Sequence, residues 1–566
     1  MPAQNTILSL LSAERLSEHY RSGFWRHDTI YSLVEQHARR SPDYFALRDC
    51  TRRVTYRQLL KDADTFAGDL ARRGVRPGQR VSVWLPSRIE TAVALIACSR
   101  NGYVCCPSLH REYTVAEVLA LLTRTRSAVL LVEPGYGADG DRQDVFSAAL
   151  ELPFLRHVYR LEDALTHPAA TAPGSPLSRT AGEGAERSEA GEGGASPTPD
   201  PDRVVYLAFT SGTTGVPKGV MHSDNTLLAN ARAVAADWRL GAETVIYSLS
   251  PLSHNLGIGA LVTAMAVGGE LVVHDLPKGR SLLDRLLETR ATYLVGVPTH
   301  AVDLLAELRA RSSSGELRVK GFRISGAPVP GEVIAELMAH GIVPQSGYGM
   351  TETCSHQYTL PDDDPRLIME TAGRCCPGFE IRIWREDDPD TEAAFGEIGQ
   401  IGSRGASLML GYFDDQIATE EAFNSHGWFM TGDLGQVDAN GYLRIRGRLK
   451  DVIIRGGKKI YPAPIEALAL RHPAIERAAA FPVADTRLGE KVGLAVVLRS
   501  GMASDGAAIL EHLNAAGLSK FDMPEYLLAL DHMKLTATGK VVKRDLVDGV
   551  REGRFHPIPV RWRGGL

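Results

Sequence analysis

The N-terminal 160 residues alternate between amphipathic segments and short apolar runs. The segment RVTYRQLLKDADTFAGDLARRGV has apolar residues at helical spacing behind a capping box of Thr55 and Gln58, and Gly74 supplies a C-terminal stop. The run RVSVWLP predicts a buried strand, and RIETAVALIACSRNG predicts a second helix closed by Gly102. The alternation continues through AVLLVEP and predicts a layered α/β domain with a largely parallel sheet.

The same pattern returns after Arg203 with a strand, the loop TSGTTGVPKG and a helix. The predicted positions are about 223–238 for the helix and near 245–249, 271–274 and 293–296 for three further strands. Farther on, GEIGQIGSRGASLMLGYF and GWFMTGDLGQVDANGYLRIRGR carry NG and GD turns, which predict antiparallel β structure. Past Lys450 the pattern predicts helix 464–471, strands 476–483 and 491–498, and helix 505–516.

The chain of 566 residues is too long for one hydrophobic core, so we expect at least two domains. The change of pattern places a large N-terminal domain at 1–446, made of layered α/β subdomains with a β-rich portion. A boundary at 447–451 separates it from a small α+β domain at 452–566. Residues 551–566 show little pattern and are expected to form a loose tail.

Residues 171–200 differ in composition from the rest of the chain. The stretch from His167 to Asp202 has no aromatic residue and only one leucine, and it repeats AGEG twice. Such a segment buries too little apolar surface to offset its ordering entropy, which predicts a disordered surface insertion. Deletion of 171–200 is therefore expected to leave activity and stability nearly intact.

Composition and charge exclude several classes of protein. The net charge of −5 gives no basic surface field, which argues against nucleic acid as a partner. The longest apolar run, Leu256–Val273, contains four glycines and Glu270 and is typical of a buried element, so no membrane span is expected. The N-terminus lacks the pattern of a signal peptide. Seven cysteines without CxxC spacing predict reduced thiols in a cytoplasmic protein and no zinc site.

The loop TSGTTGVPKG has the composition of a phosphate-binding site. Its backbone amides and hydroxyl groups can surround phosphate oxygens, and Lys218 adds a positive charge. It is not a Walker A loop, because Lys218 follows Pro217 and precedes Gly219, so the G-K-[ST] ending is absent. Taken alone, the loop is also compatible with a glycine-rich turn that only links a strand to a helix.

TSGTTGVPKG resembles the phosphate-loop signature of the AMP-forming, adenylate-making superfamily of acyl-CoA synthetases, adenylation domains and firefly-type luciferases. Further motifs that resemble this family stand in its order: SGAPVP (325–330), SGYGMTET (346–353), TGD (431–433), GRLKDVIIRGGKKIYPAPIE (447–466) and TATGKVVKRDL (536–546). The six motifs span Thr210 to Leu546, and their coincidence by chance is not a serious alternative.

The resemblance implies that ATP and a carboxylic acid first form an acyl-adenylate. The residues that would enclose the β- and γ-phosphates are Thr210, Ser211, Gly212, Thr213, Thr214 and Lys218. Adenine would lie between Tyr348 and a flat loop formed by Gly326 and Ala327. Asp433 would accept hydrogen bonds from both ribose hydroxyls, and Arg448 would contact ribose or phosphate.

The resemblance also implies the residues that act on the reacting groups. Glu352 would bind Mg²⁺, since hard oxygen ligands suit that ion, and Thr351 would donate a hydrogen bond to the α-phosphate. Lys540 would reach from the small domain to the carboxylate and the α-phosphate. His254 resembles a gate residue between the carboxylate and the entrance for the thiol, and its alternative is a core histidine.

In the second half-reaction a thiol attacks the adenylate, and coenzyme A is the favoured thiol. The resemblance makes 452–566 a mobile lid that turns about a hinge at Lys450, within 447–451. This motion would bring in Gly456 and Gly457, where the pantetheine chain can approach closely. The chain departs from the family at Lys459, where Asn is common.

The segment SPLSHNLGIGALV corresponds to the family's acyl-binding region. It contributes His254, Asn255 and Gly259 to the candidate acid pocket, and Cys354 is a further wall residue. Gly257 and Gly259 leave room for a compact ring or a medium chain. The N-terminal half resembles bacterial cyclohexanecarboxylate–CoA ligases, so a cyclic or medium-chain acid is the expected substrate.

Two other functions stay open from the sequence. One is a stand-alone aryl-acid adenylating enzyme that loads a carrier protein, and the other is a non-catalytic nucleotide-binding protein. The intact set of Glu352, Asp433 and Lys540 argues against the second. The expected small-molecule partner is a carboxylic acid, and the expected oligomeric state is a monomer or homodimer.

Overall fold

A computed structural model describes residues 12–161, 200–210, 217–277, 279–311, 317–327, 329–536 and 541–562. Within these ranges the chain forms four β-sheets with helices packed on them. The predicted α/β class is confirmed, with three sheets built from residues before Leu449 and the fourth from residues after Asp451. The predicted insertion lies outside the described residues, apart from Asp200.

The helices occupy both the large and the small part of the chain. They are α1 (Ala13–Arg21), α2 (Ile30–Arg40), α3 (Tyr56–Arg72), α4 (Ile89–Asn101), α5 (Val115–Thr125), α6 (Val145–Ala149), α7 (Asp224–Asp237), α8 (Asn255–Val267), α9 (Leu282–Thr289), α10 (Pro298–Ala310), α11 (Gly331–Ala339), α12 (Pro365–Glu370), α13 (Gln416–Glu421), α14 (Pro462–Ala469), α15 (Gly506–Ala515) and α16 (Lys543–Arg551). The predicted start of α3 is confirmed, because the side chains of Thr55 and Gln58 each bond the other's backbone amide.

The first sheet has nine strands, with a parallel centre and antiparallel edges. In spatial order they are β15 (Arg374–Cys375), β14 (Cys354–Tyr358), β13 (Val343–Met350), β12 (Gly321–Ile324), β11 (Tyr293–Gly296), β9 (Val245–Ser248), β10 (Glu270–Val273), β1 (Phe45–Arg48) and β2 (Arg53–Thr55). The parallel centre places the carboxyl ends of β12 and β13 at one edge, where two of the predicted motifs meet.

The second sheet has seven strands and carries the phosphate-loop motif. In spatial order they are β18 (Gly411–Tyr412), β8 (Lys218–Ser223), β7 (Val204–Thr210), β4 (Val104–Cys106), β3 (Arg80–Trp84), β5 (Val129–Val132) and β6 (His157–Arg160). The expected strand–loop–helix order is wrong at this motif. Because Lys218–Ser223 pairs antiparallel with β7, the loop closes a β-hairpin, and helix α7 begins only after it.

Helices α4, α7 and α8 lie at the centre of the main core between the two large sheets. Helix α7 packs against β7 of the second sheet and β14 of the first, and against α8. The apolar run Leu256–Val273 becomes α8 and β10, both largely buried, as the sequence predicts. No helix in the described part of the chain has the length and apolar character needed to cross a membrane.

The third sheet is antiparallel, as predicted for the glycine-rich segments. Its strands are β16 (Phe379–Trp384), β17 (Gly399–Gly405), β19 (Phe429–Val437) and β20 (Leu443–Arg448). A single 3₁₀ turn at Leu449–Asp451 follows β20 and leads into the fourth sheet.

The fourth sheet forms the small α+β unit. Its strands are β21 (Ile453–Arg455), β22 (Lys458–Ile460), β23 (Ile475–Asp485), β24 (Gly489–Leu498), β25 (Tyr526–Ala529) and β26 (Ile558–Pro559). The expectation of a loose C-terminal tail is wrong for its described part. Strand β26 pairs with β25, and Val560 and Trp562 pack on the core of this unit.

Candidate active site

The two ends of the phosphate-loop motif are fixed by the antiparallel pairing of β7 and β8. Thr210 ends β7 and Lys218 begins β8, and the two residues are cross-strand partners. The Thr210 hydroxyl donates a 3.5 Å hydrogen bond to the Lys218 carbonyl. The loop residues Ser211, Gly212, Thr213 and Thr214 lie outside the described residues, so their phosphate-binding role stays a prediction.

Glu352 lies in a buried polar cluster at the mouth of this hairpin. Its Oε1 accepts a 2.9 Å hydrogen bond from the Tyr412 hydroxyl, and the Lys218 ammonium lies 4.7 Å from the centre of the Tyr412 ring. The Glu352 side chain is buried, and this burial raises its pKa, while Tyr412, Lys218 and Arg448 act in the opposite direction. The predicted Glu352 and Lys218 are thus brought together, and Tyr412 joins them.

Thr351 is positioned through its backbone by a buried histidine. The Nε2 atom of His222 lies 2.7 Å from the Thr351 carbonyl, which can only accept, so Nε2 carries the proton. Burial lowers the pKa of His222 to about 4, so this ring is neutral at pH 7. The arrangement fixes the turn between β13 and β14 that carries Thr351 and Glu352.

The predicted ribose and adenine residues form a second cluster. The Tyr348 hydroxyl donates a 2.9 Å hydrogen bond to Asp433 Oδ2, and Arg448 Nε lies 3.1 Å from Asp433 Oδ1. Burial and the Asp433 charge raise the pKa of Tyr348, so its hydroxyl stays a donor. Gly326 and Ala327 are exposed at the end of β12, beside the strand that carries Tyr348.

The small unit contributes residues at its junction with the large part. Lys450 is exposed in the 3₁₀ turn after β20. Gly456 and Gly457 form the two-residue turn between β21 and β22 with φ of 56° and 82°, conformations that favour glycine. Lys540 lies outside the described residues, so its reach toward the cleft stays a prediction.

Lys459 is not free for a ligand phosphate. Its Nζ lies 2.7 Å from Glu386 Oε2, and the Tyr461 hydroxyl donates a 2.7 Å hydrogen bond to Glu386 Oε1. Glu386 follows strand β16 of the third sheet, so these contacts join the small unit to the large part. The departure from the family at position 459 therefore has a structural partner within the chain.

The candidate acid pocket surrounds the N-terminal half of α8. His254 is the N-cap of α8, with its Nδ1 accepting a 3.2 Å hydrogen bond from the Leu256 amide. Burial raises the pKa of the Cys354 thiol to about 12, and the nearby Asn255 side chain acts in the opposite direction. A Cβ added at Gly259 would face open space, so this wall has room for a substrate.

Gly257 does not leave room at the pocket wall, contrary to the expectation from the sequence. A Cβ at this position would lie 2.2 Å from the Pro251 carbonyl oxygen. Gly257 therefore allows close packing of α8 on the preceding loop, and the open space belongs to Gly259 alone of this pair.

Sequence reasoning missed Tyr412 and His222 as site residues, and also Glu386. Tyr412 is sixty positions from the carboxylate it bonds. His222 lies three positions after the end of the phosphate motif, and the two apolar residues before it, Val220 and Met221, were a signal for burial. Nothing in the local pattern around Glu386 indicates its contact with the small unit.

The buried Glu352 carboxylate fits a magnesium ion. Burial disfavours its charged form, so a nearby cation would stabilise it. No group of three potential ligands occurs among the residues that the structure describes. An ion at Glu352 would therefore take its other ligands from phosphate oxygens and water, which is the usual coordination of Mg²⁺.

The fold and the site together define an adenylate-forming enzyme with a large and a small α/β unit. A family model described as "AMP-binding enzyme" matches residues 34–413, and one described as "AMP-binding enzyme C-terminal domain" matches 464–540. The chain belongs to the AMP-binding enzyme family.

Similar proteins cover nearly the whole chain. The medium-chain fatty-acid–CoA ligase of Escherichia coli is 29% identical over 94% of this chain and 92% of its own. The salicyl-AMP ligase / salicyl-S-ArCP synthetase of Mycobacterium tuberculosis is 31% identical over 94% and 93%. ATP-bound MatB from Rhodopseudomonas palustris superposes with a TM-score of 0.79 at 27% identity, covering 93% of this chain and 99% of that one.

The predicted enzyme class is confirmed by these matches. The protein is an AMP-forming acid–thiol ligase, with ATP and coenzyme A as its co-substrates and Mg²⁺ as the metal general to the family. A small carboxylic acid fits this class as the third substrate.

Proposed function

We propose that the protein joins a cyclic or medium-chain carboxylic acid to coenzyme A, through an acyl-adenylate and with release of AMP and pyrophosphate. One observation carries the proposal. The β13–β14 segment places Tyr348 in contact with Asp433, which also pairs with Arg448, and it places Glu352 in contact with Tyr412, near Lys218. A nucleoside site and a phosphate site are thereby adjacent on one segment.

In the first half-reaction the acid's carboxylate attacks the α-phosphorus of ATP, and pyrophosphate leaves. Two anions approach each other, so cations and oriented donors must offset the charge that develops. Lys218 and Lys540 provide positive charge, and Thr351 provides a donor at the α-phosphate. Magnesium, when bound at Glu352, would neutralise phosphate charge and polarise the phosphoryl oxygens.

Asp433 holds the ribose in this proposal. Its two carboxylate oxygens already bind Tyr348 and Arg448, which fixes the carboxylate before nucleotide arrives. A preorganised acceptor loses less freedom on binding than a mobile one. The ring of Tyr348 stacks on one face of adenine in this proposal, and Gly326 and Ala327 contact the other face.

In the second half-reaction the thiol of coenzyme A attacks the acyl carbon, and AMP leaves. We propose that 447–451 is the hinge between a domain at 1–446 and a lid at 452–566, turning at Lys450. The motion exchanges Lys540 for the Gly456–Gly457 turn in the cleft. The contacts of Lys459 and Tyr461 with Glu386 would break when the lid turns, because Glu386 belongs to the large domain.

The class of acid is inferred from the residues of the candidate pocket and from the substrates named for similar enzymes. Gly259 opens the wall of α8, and Asn255 and Cys354 lie beside it. The related E. coli enzyme is named for medium-chain fatty acids, whereas the related mycobacterial enzyme is named for salicylate and a carrier protein. His254 stays a proposed gate at the N-cap of α8.

The experiment supplies ATP, Mg²⁺ and a panel of carboxylic acids, with and without coenzyme A, and measures AMP, pyrophosphate exchange and thioester. AMP release that requires both a cyclic or medium-chain acid and coenzyme A supports the proposal. Pyrophosphate exchange with an aryl acid, without thioester in the presence of coenzyme A, would instead favour loading of a carrier protein.

We propose a cytoplasmic monomer or homodimer that does not bind nucleic acid. The seven cysteines are all free thiols, which suits a reducing compartment. Size-exclusion chromatography with light scattering would establish the oligomeric state.

A further inference from the structure

A buried arginine lies in the wall of the acid pocket. Arg323 is in the middle of β12 and is only 3% exposed. Its neighbours Phe322 and Ile324 belong to the apolar core that α9, α10 and α11 form on one face of the first sheet. Because side chains alternate along a strand, Arg323 projects to the opposite face, which α7 and α8 cover.

No described residue pairs with this guanidinium through a hydrogen bond or an ion pair. Its nitrogen atoms are not among the fully buried unpaired atoms, so they keep some accessible surface. Its charge acts on the side chains of Cys354, Cys376, Tyr358 and Tyr293, which are all neutral groups at pH 7. The carboxylate of Asp237 accepts the Tyr358 hydroxyl at 2.8 Å and makes no ion pair with Arg323. A buried cation without a counterion is strongly disfavoured in a folded protein, so this one requires an explanation.

A second unsatisfied donor lies directly beside Arg323. Gln345 is its cross-strand neighbour on β13 and is fully buried. The Oε1 atom of Gln345 accepts the Tyr293 hydroxyl, which orients the amide, and its Nε2 has no partner among the described residues. Two adjacent strands therefore present donors on one face, and the described chain supplies no acceptor for either.

This donor pair belongs to the same pocket as the acid. The Cys354 thiol is influenced both by the Arg323 charge and by the Asn255 side chain at the start of α8, and the wall at Gly259 is open. Arg323 lies inside β12, whereas Gly326 and Ala327 lie in the loop that follows the end of this strand. The donors are therefore set back along the sheet from the loop that we propose contacts adenine.

We propose that Arg323 and Gln345 bind a second carboxylate at the far end of the acid, so that the substrate is a dicarboxylic acid. Arg323 forms a charge-assisted pair with this carboxylate, and Gln345 Nε2 donates a further hydrogen bond. The assignment rests on the proposed function, because it names the acid that the ligase activates. A purely apolar ring or chain would leave both donors buried without an acceptor.

The test compares acids of matched shape. For the wild type, kcat/KM for AMP release is measured with cyclohexanecarboxylate against trans-cyclohexane-1,4-dicarboxylate, and with octanoate against octanedioate. A dicarboxylate preference of about tenfold or more is expected, since a site built to bind a polar group disfavours analogues that lack it. In R323M the preference should reverse, and in Q345L it should weaken, with KM for ATP unchanged in both.

R285M is the matched control. Arg285 is also a buried arginine, but it is paired with Glu288 and donates to the Asp49 carbonyl, away from the pocket. Its replacement should lower Tm and leave the dicarboxylate preference unchanged. R323M should instead keep or raise Tm, because it removes an unpaired buried charge.

Two results separate the inference from the proposed function. A wild type that releases AMP equally well or better with the monocarboxylates, with a ratio that R323M does not change, would overturn the dicarboxylate assignment and leave the ligase standing. Calorimetric binding of trans-cyclohexane-1,4-dicarboxylate in the presence of AMP is measured separately. Tighter binding by the wild type than by R323M supports the assignment even if no acid is turned over, and equal or absent binding overturns it.

Discussion

The nucleotide cleft and the acid pocket differ in how far the protein satisfies its own polar groups. In the cleft, Asp433 is held by Tyr348 and Arg448, and Glu352 is held by Tyr412. In the pocket, Arg323 and the Gln345 amide nitrogen have no partner among the described residues. The polar groups of the nucleotide cleft are therefore paired before a ligand binds, whereas the two donors of the acid pocket lack an acceptor.

The difference follows from what each region recognises. The nucleotide is common to the whole family, so its site can be rigid, and preorganised dipoles and charges stabilise the transition state most effectively. The acid varies among relatives, as the names of the medium-chain and salicylate enzymes show. Selectivity in such a pocket depends on a few wall residues, and an unmatched buried donor is the clearest sign of one.

The largest effect is expected from Lys540→Ala. If the lysine acts only in the cleft, adenylate formation should fall by about 10²- to 10³-fold, since one preorganised charge at the reacting phosphate is removed. Thioester formation from preformed adenylate should be largely spared. Rapid-quench measurements of each half-reaction test this split.

Lys534→Ala is the control for this variant, because Lys534 is exposed and lies on the same segment. It should leave both half-reactions unchanged. Equal loss of both half-reactions in Lys540→Ala would contradict the division of labour between the two states of the lid.

Asp433→Ala should have the next largest effect. Removal of the carboxylate would eliminate the two hydrogen bonds to ribose that we propose, and it would leave Arg448 without its partner. The KM for ATP should therefore rise about tenfold to hundredfold. The KM for the acid should change little if cleft and pocket are independent. Steady-state kinetics with each substrate varied in turn give both values.

Asp438→Ala provides the comparison on the same β-hairpin. Asp438 pairs with Arg444 at 3.0 Å and lies outside the cleft. Its loss should leave KM for ATP unchanged. A similar rise of KM for ATP in both variants would mean that Asp433 acts through the stability of the third sheet rather than on the nucleotide.

The sequence predicted local features better than contacts between distant segments, for a physical reason. The capping box of Thr55 and the stop at Gly102 depend on neighbours a few residues away, and both are found. The motifs of the cleft are equally local, because each is a short loop with its own chemistry. Their order along the chain sufficed to propose the site.

Long-range pairing could not be predicted from such patterns. Tyr412 reaches Glu352 because β18 pairs with β8, and the described part of the tail is attached to the small unit because β26 pairs with β25. Arg323 and Gln345 become neighbours only through the register of β12 and β13. A single charged residue in an apolar strand was visible in the sequence, but its lack of a partner was not.

Gly259→Leu tests the open wall of the pocket. The added side chain would occupy the space beside α8, so KM for the acid should rise about tenfold while KM for ATP stays constant. Gly257→Ala is the contrasting change, because its Cβ would collide with the Pro251 carbonyl. It should lower Tm instead. An unchanged KM for the acid in Gly259→Leu would show that the substrate lies elsewhere.

Tyr412→Phe should produce the smallest effect, which is a shift in pH dependence. Glu352 must be ionised to bind a cation, so activity is present above its pKa and is lost as pH falls through it. Burial already raises this pKa, and the Tyr412 hydroxyl opposes the rise. Without the hydroxyl the pKa should rise further, and the acid limb of the kcat/KM profile should move to higher pH.

The variant keeps the aromatic ring under Lys218, so only the hydrogen bond to Glu352 is removed. At the plateau the loss should be about threefold to tenfold, as expected for a single hydrogen bond. Tyr442→Phe removes a comparable bond, to Asp363 at 2.7 Å, outside the cleft, and should not move the acid limb. If Tyr412→Phe likewise leaves the limb in place, Glu352 is not the group that sets it. The hydrogen bond from Tyr412 would then not control the ionisation that limits activity, and pairing of polar groups within the cleft would matter less for its function. The contrast between the cleft and the acid pocket would weaken.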